Sequence, residues 1–389
     1  MNHATQTFYH DKGFLNVQVP ILTTTNSEES SQKFHVTTLL GQKTRKEKPI
    51  GMEDKPNDSL QSVKVSIAEK SRQFEELRRT DSNKVALAAA LQDLRKTNEL
   101  AIQLEARGKS KADHTSVKTC KLNFSEDYFS CQRYLTVSGR LHLKSYACAL
   151  GDVYSFGPRF HAEISESKKF LPEINMVELE MVFSQLEDAM NCAYDLLKFL
   201  FAWVLQHLDN TIVDRLQSLY AGSFHKISYA AAINVLKVTV KKFDVNIVHG
   251  IPLSEELHEL LLVNDSYIAD EIYKRPVIIY NYPKDLKPFN VRVNDDGKTV
   301  VAFDLIVPKA GTLIRGSQTE ERFNMLESRI KELSLPKDEY QWYMDLRRHG
   351  TAKHSGFSLM FDLLVLYATG LNDVRDVIPF PRSLGKVYN

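Results

Sequence analysis

The chain has 389 residues, with 50 Lys+Arg against 49 Asp+Glu, a formal charge of +1, 43% hydrophobic and 25% charged residues. That balance excludes a wholly disordered chain and a protein that coats nucleic acid through net charge alone; a local basic face stays open. At roughly 150 residues per domain the length corresponds to two or three domains, able to bury a large core without disulfide staples.

The first forty residues read as a helix end, a turn and strands. Gly13 follows the polar stretch 6–12, as at a helix C-terminus, and Phe14, Val17, Val19 and Ile21 form a β-rich run. Pro20 inside it argues for an edge position, and residues 34–40 give a second strand signal. The chain opens within an element, as though a further segment belonged ahead of it. Residues 41–62 crowd charges around Pro49 and Pro56, a solvated linker. A helical hairpin follows, with arms over 65–79 and 84–107 and a break at Asp81, Ser82 and Asn83 that supplies turn and cap chemistry. Leu87, Leu91, Leu94, Ala101 and Leu104 share one face of the second arm. Basic residues outnumber acidic ones, which leaves two readings: a solvated amphipathic pair, or an appendage for RNA or a partner.

From 118 onward strands alternate with helices. Strands are expected over 134–137, 153–156, 176–183, 277–280, 291–293 and 300–307, with Asn294, Asp295, Asp296 and Gly297 as a hairpin turn. A long helix is expected over 185–208, started by a capping box of Ser184 and Glu187. Its apolar face holds Ala189, Ala193, Leu196, Leu197, Leu200 and Val204. A second capping box, Ser317 to Glu320, predicts a helix running to Leu333. Adjacent hairpins of this kind give an α+β fold, a mostly antiparallel sheet with helices on it. The domain reading is 1–40 as the start of a core, 41–117 as linker and inserted hairpin, and 118–389 as the main core.

Cys120, Cys131, Cys148 and Cys192 form no C-x-x-C pair, so reduced cytosolic thiols are expected. The start carries no apolar run of signal length, and the longest apolar run, 199–205, is far short of a membrane span. A soluble, cytoplasmic protein with no membrane partner is the expectation. Gly108, Lys109 and Ser110 lack the upstream glycine of a P-loop, because Gln103 stands there; no G-x-G-x-x-G follows a strand and no H-E-x-x-H is present.

Three stretches carry identity: 154–163 (YSFGPRFHAE), 303–318, and 356–371 followed by RDVIPFPR at 375–382. In order and spacing they resemble motif 2, the metal-binding strand and motif 3 of the class II aminoacyl-tRNA synthetases. Together with IIYNYPKDLKPF and DLRRHGTAKHSGF they resemble the asparaginyl branch most, and KGFLNVQVPIL resembles motif 1 with Pro20 as its proline. The resemblance covers all but about 41–117, and that hairpin is similar to a helical appendage of eukaryotic synthetases.

The resemblance implies ATP-dependent activation of asparagine and its transfer to tRNA, with Mg²⁺ as cofactor. Its partners would be asparagine, ATP and tRNA, with a homodimer as assembly; the family's anticodon-reading barrel lies ahead of motif 1, and the expectation is that this chain, starting inside motif 1, lacks it. It places Glu28, Arg140 and Arg348 on the amino acid. Glu163, Phe160, Ser317 and Phe357 fall on ATP, Asp304 on the metal and His161 at the catalytic phosphate position. The residue-level alternatives are a solvated loop for Glu28, a surface ion pair for Arg348, and plain core for Phe160 and Phe357. Asp304 interrupts an apolar strand, where a bare carboxylate would be costly.

Several positions depart from the family pattern. His161 and Leu363 stand where it carries phosphate-binding arginines, and Thr312 where it carries a second acid. Arg140 replaces a substrate-side glutamine, while Arg315, Ser358 and Met360 replace glycines. Histidine cannot reproduce the bidentate guanidinium fork, and leucine removes a full charge, although Lys168 and Lys169 lie close downstream. The expectation is a ligase impaired by lost motif residues, or a catalytically inactive paralogue that binds RNA or protein. An asparagine-making ligase on the same core is a minor third reading, because nothing in the sequence points to ammonia chemistry.

Overall fold

The alternating β-rich runs pair into one large sheet, and the amphipathic helices cover its faces. The computed structural model of the chain describes residues 1–25, 32–39, 124–165, 167–207, 224–243 and 267–387. Two compact units emerge, one of Met1–Val36 with Gln132–Asn389, the other of Thr37–Cys131. The expected linker and hairpin at 41–117, and Glu28, lie outside the described residues. In the second unit, just after a 3-10 turn at Phe124–Glu126, the Asp127 carboxylate accepts from the Thr38 hydroxyl at 2.6 Å and from the Tyr128 amide at 2.7 Å, tying two segments distant in sequence.

The first unit opens with helix α1 (Asn2–Asp11), which ends two residues before Gly13, a residue with φ of +82°. Short strands β1 (Leu15–Asn16), β2 (Leu22–Thr23), β3 (His35–Val36) and β4 (Arg133–Leu135) follow. Helix α2 (Arg140–Leu150), strands β5 (Val153–Phe160) and β6 (Glu173–Val182), and helix α3 (Leu186–His207) come next. Strand β7 (His225–Ser228) leads into helix α4 (Tyr229–Phe243). Strands β8 (Val277–Pro283), β9 (Thr299–Val307) and β10 (Gly311–Gln318) precede helices α5 (Phe323–Glu332) and α6 (Lys337–Arg348). Strand β11 (His354–Met360), helix α7 (Phe361–Thr369) and the β12 (Arg382–Ser383) and β13 (Lys386–Val387) ribbon end the described chain.

Among the described residues eight strands form one sheet in the order β1-β5-β6-β11-β10-β9-β8-β7, and β2-β4-β3 forms a small second sheet. Only the outer pairs β1/β5 and β7/β8 are parallel; the inner pairs are antiparallel. The α+β expectation holds: a mostly antiparallel sheet is flanked by helices. Because successive side chains alternate faces, Val177, Leu179, Phe303, Leu305, Phe357 and Leu359 point to one side. There they pack with α1, α3 and α7 in the largest apolar cluster. All six expected apolar-face residues of α3 belong to it. On the other side Ile227, Val277, Ile279, Ala302 and Ile306 pack with α4 at the β7 end. Helix α2 covers the β5 end, through Leu143 and Ala147. Between these two caps the second face of the sheet is polar.

Both capping-box expectations are corrected. The Ser184 hydroxyl turns to the Met181 carbonyl at 2.6 Å and to the Ser355 hydroxyl, and the Asp188 carboxylate accepts from the Gln185 amide instead. Residues 317–318 continue strand β10, paired to β9 and β11, so the next helix starts only at Phe323. Sheet pairing on both sides outweighs a local cap worth about 1 kcal/mol. The expected turn at 294–297 is present, with Gly297 at φ of +66° donating to the Asn294 carbonyl. No helix among the described residues is long and apolar enough to cross a membrane. Cys131, Cys148 and Cys192 are free thiols.

Candidate functional site

Strand register builds the site. Ser155 of β5, Glu178 of β6, Ser358 of β11, Arg315 of β10 and Asp304 of β9 are successive cross-strand partners, so they form a polar row on one face. Two residues along, Glu180, Gly356 and Ser317 make a second row on that face. Carboxylates buried in mid-sheet demand charged or hydrogen-bonding partners, and each has them.

Glu178 is fully buried. It accepts from Arg159 Nε at 2.8 Å and Nη2 at 2.6 Å, from the Ser138 hydroxyl at 2.6 Å and from the Gly139 amide at 2.8 Å. Burial would raise its pKa, but the Arg159 charge and these hydrogen bonds outweigh it and hold the carboxyl below its usual range. A Cβ at Gly139 would meet Val19 Cγ2 at 2.5 Å and Arg159 Nη2 at 2.8 Å, so any larger residue there would push the Arg159 guanidinium or Val19 aside.

Glu180 lies beside it with a different partner set. Arg140 donates to one oxygen through Nε at 3.1 Å and Nη2 at 2.7 Å, and His354 Nδ1 lies 3.0 Å from the other. Burial pushes Glu180 up, yet the Arg140 charge, the His354 hydrogen bond and the Lys144 charge bring it down to about 2. Arg140 also donates through Nη1 to the Ser317 hydroxyl at 3.3 Å. Lys144, one turn along α2, is 1% exposed, and burial pulls its pKa well below the usual lysine range although Glu180 opposes this. Burial lowers His354 in the same way.

Asp304 is engaged by Lys287, whose Nζ lies 2.7 Å from both carboxylate oxygens and 3.9 Å from the Tyr282 ring centroid, and by a hydrogen bond from Tyr282. Thr312 pairs with Ile306 across a register shift and supplies no charge. Among the described residues no group of three or more His, Cys, Asp or Glu could hold a metal ion. Asp304, the acid at the position the resemblance gives to Mg²⁺, carries an ammonium partner in Lys287.

Two cavities flank the rows. The smaller, about 150 Å³, is lined by His161, Lys169, Arg315, Met360, Asp362 and Leu363 among others. His161 follows β5, its amide donates to the Pro172 carbonyl at 2.9 Å, and its ring meets Phe170 edge-on at 6.2 Å. Leu363 is in the first turn of α7 and packs into the main apolar cluster. Asp362 accepts from the Asn175 amide at 2.7 Å, and burial raises its pKa. The larger cavity, about 720 Å³, is lined by Phe34, Leu135, Phe160, Phe170, Arg375 and Arg382 among others. Glu163 is exposed and borders both cavities.

The structure thus brings together His161, Glu163, Phe160, Arg140, Ser317 and Asp304, with Arg315, Met360 and Leu363. Phe357 is not among them. It alternates to the other face and is wholly buried in the apolar core, while its neighbour Ser358 takes the site side and donates to Glu178 at 3.3 Å. Arg348 is exposed at the end of α6, pairs with Asp345 at 2.9 Å and covers the Phe323 ring. Its neighbour Arg347 is the buried one, donating to the Glu320 carbonyl and the Tyr343 hydroxyl. Sequence reasoning missed Glu178, Glu180, Arg159, Lys144, His354 and Lys287. The alternation Val177, Glu178, Leu179, Glu180, Met181 was a readable signal of two acids on one strand face.

A model of the class II tRNA synthetases (D, K and N) matches residues 104–384. The cytoplasmic asparagine–tRNA ligase 2 of Arabidopsis thaliana is 48% identical over 399 aligned positions, which cover 99% of this chain and 61% of that protein. The cytoplasmic asparagine–tRNA ligase 1 of the same plant is 39% identical, covering 98% of this chain and 68% of its own length. The asparaginyl-tRNA synthetase of Pyrococcus horikoshii, solved in complex with asparaginyl-adenylate, has the same fold. Its TM-score is 0.67 at 23% identity, over 100% of this chain and 68% of that one. The chain spans about three fifths of the first of these relatives. With identities of this order and a family match over most of its length, the chain belongs to the class II tRNA synthetases of the D, K and N group and is asparaginyl-tRNA synthetase-like.

Proposed function

We propose that the chain is a cytoplasmic asparagine–tRNA ligase of weakened catalytic power. The observation that carries this reading is the placement of Ser317 and Arg315 on one sheet face, with Arg140 bonded to Ser317 and with Arg315 and His161 lining the smaller cavity. In the reaction the asparagine carboxylate attacks the α-phosphorus of ATP. An O–P bond forms as the bond to the β-phosphate bridging oxygen breaks, and pyrophosphate leaves. The terminal ribose hydroxyl of tRNA then attacks the activated carbonyl, and AMP leaves. Such displacement at phosphorus depends on positioning and charge neutralisation. His161 offers a single imidazole donor toward the phosphate. Leu363 offers none, and losing one transition-state donor typically costs about 10²–10³ in rate. Glu163 and Phe160 border the cavity assigned to the nucleotide. Arg140, bridged to Glu180 and Ser317, is assigned to the amino-acid side. The tRNA and a second copy of the chain are proposed partners.

The burial of Leu363 in the apolar cluster and the engagement of Asp304 by Lys287 favour a second reading, a non-catalytic module that binds RNA or protein. Asparagine-dependent exchange of pyrophosphate into ATP separates the two. Exchange above background supports the ligase; a folded chain with no exchange, beside an active control synthetase, leaves the binding module.

A further inference from the structure

We propose that the small cavity holds a di- or triphosphate chain without a divalent cation, through Arg315, Lys169 and His161. This rests on the activation reading above and specifies how that site meets phosphate. Three observations carry it.

The acid that would hold a cation is already neutralised. Both Asp304 oxygens lie 2.7 Å from Lys287 Nζ, and the side chains of this pair are only 12% and 13% exposed. Mg²⁺ is normally held by one or two carboxylates plus substrate phosphates. An ion reaching Asp304 would have to displace a half-sequestered ammonium that has little water to retreat into.

The cross-strand partner of Asp304 is a second cation. Arg315 pairs with it in the β9/β10 ladder and shares its sheet face. A divalent ion there would meet like charge from two sides, whereas a phosphate oxygen would meet attraction. A guanidinium on a rigid strand is well suited to a phosphate, because its planar fork donates two parallel bonds.

Arg315 is joined in the cavity wall by a cation, Lys169, and by the His161 imidazole, both from another segment. His161 and Lys169 line the same 150 Å³ space, from the end of β5 and the loop before β6. Two acids also line it. Asp362 is turned to Asn175, which donates through its backbone and side-chain amides, and Glu163 is exposed at the rim shared with the larger cavity. Arg315 and Lys169 therefore offer an anion its charged contacts in this cavity, while Asp362 is taken up by Asn175 and Glu163 stands at the rim.

The test is calorimetric titration of the purified chain with inorganic pyrophosphate, at fixed ionic strength, once in EDTA and once with magnesium chloride. We expect dissociation constants within threefold of each other. In EDTA, Arg315→Ala should weaken binding at least tenfold, and Arg315→Lys should recover part of that loss. Competition by ATP would assign the site to a nucleotide's phosphate chain, and lack of competition would assign it to the free anion. The proposal is overturned if pyrophosphate binds only with magnesium or not at all. It is equally overturned if Arg315→Ala, folded by its thermal transition, binds as the unsubstituted chain does. Neither turnover nor asparagine enters this measurement. Metal-free binding without exchange activity would therefore sink the activation reading and leave this inference standing.

Discussion

The guanidinium of Arg140 reaches Glu180 at 2.7 Å and Ser317 at 3.3 Å, spanning the bare backbone of Gly356 that lies between them in the sheet. A side chain at 356 would meet the Leu179 carbonyl at 2.0 Å and Glu180 Cδ at 2.9 Å, so the glycine permits the close packing beneath this bridge. The first turn of α2 is thereby tied to two interior strands by one charged side chain.

This tie makes stability sensitive to acid. Glu180 falls from an ordinary 4.5 to about 2 because its partners favour the carboxylate over the cost of burial. A depressed acid contributes stability that is fully present above its unfolded value and is lost as pH falls through its folded value. The window is therefore pH 4.5 down to 2, and the loss is on the order of 3 kcal/mol for this group. Urea midpoints measured at pH 6, 4 and 3 should fall across the last two. Arg140→Gln should bring the fall to higher pH; an unchanged profile in that variant would show that Arg140 does not hold Glu180 ionised.

Lys144 carries the opposite sign. Burial outweighs the attraction of Glu180 and depresses its folded pKa, so the cation is disfavoured in the native state. Below its unfolded pKa, about 10.4, folding must bear that cost, and the cost fades as pH rises toward that value because both states then lose the proton. Lys144→Met should raise stability at pH 7 by about 1 kcal/mol, in line with apolar replacement of buried charge. The gain should shrink at pH 10.5. Thermal transitions at the two pH values check this, and a lower transition at pH 7 would show that the Glu180 attraction dominates.

Arg159 is the anchor of the first row. It is 1% exposed and gives Glu178 two hydrogen bonds, while its Nη1 reaches the Pro158 carbonyl. Arg159→Met leaves a buried carboxylate with only the Ser138, Ser358 and Gly139 donors, and breaking such a pair costs about 3–5 kcal/mol. Chemical denaturation should show that loss. The double variant Arg159→Met with Glu178→Leu should recover much of it, because neither charge is then stranded.

What was legible in the sequence follows from locality. Strands β8 and β9, the 294–297 turn and the apolar face of α3 are local patterns, and the structure reproduces them. The two capping boxes failed because Ser184 and Ser317 face partners far away in sequence, Ser355 and Arg140. In the site, Asp304, Ser317 and Arg140 could be named from the family resemblance alone. Phe357 could not be assigned a face without the register, since one residue along a strand reverses the side. Arg347 and Arg348 exchange burial for the same kind of reason: which of two adjacent arginines faces inward depends on the phase of α6 against Tyr343 and Glu320. The acids at 178 and 180 read as a charged interruption of a strand, and only the partners arriving from α2, β5 and β11 explain them.

The sharpest functional prediction concerns His161. It lines the small cavity with Arg315 and Lys169, at the place where the family resemblance puts a phosphate-binding arginine. Its ring packs edge-on to Phe170, and its backbone is pinned to Pro172. A longer side chain at 161 can therefore extend into the cavity without moving the strand. An imidazole offers one donor and partial charge at neutral pH, whereas a guanidinium offers a fixed fork with full charge. If the chain activates asparagine, His161→Arg should raise asparagine-dependent pyrophosphate exchange by about 10- to 100-fold, part of the usual worth of one oxyanion donor. The gain should lie in kcat more than in KM for asparagine, because a phosphate donor acts mainly on the charge developing in the transition state. A variant that folds normally but shows no gain would mean that position 161 is not what limits the reaction. Leu363, the other lost cation beside that cavity, would then be the position to restore.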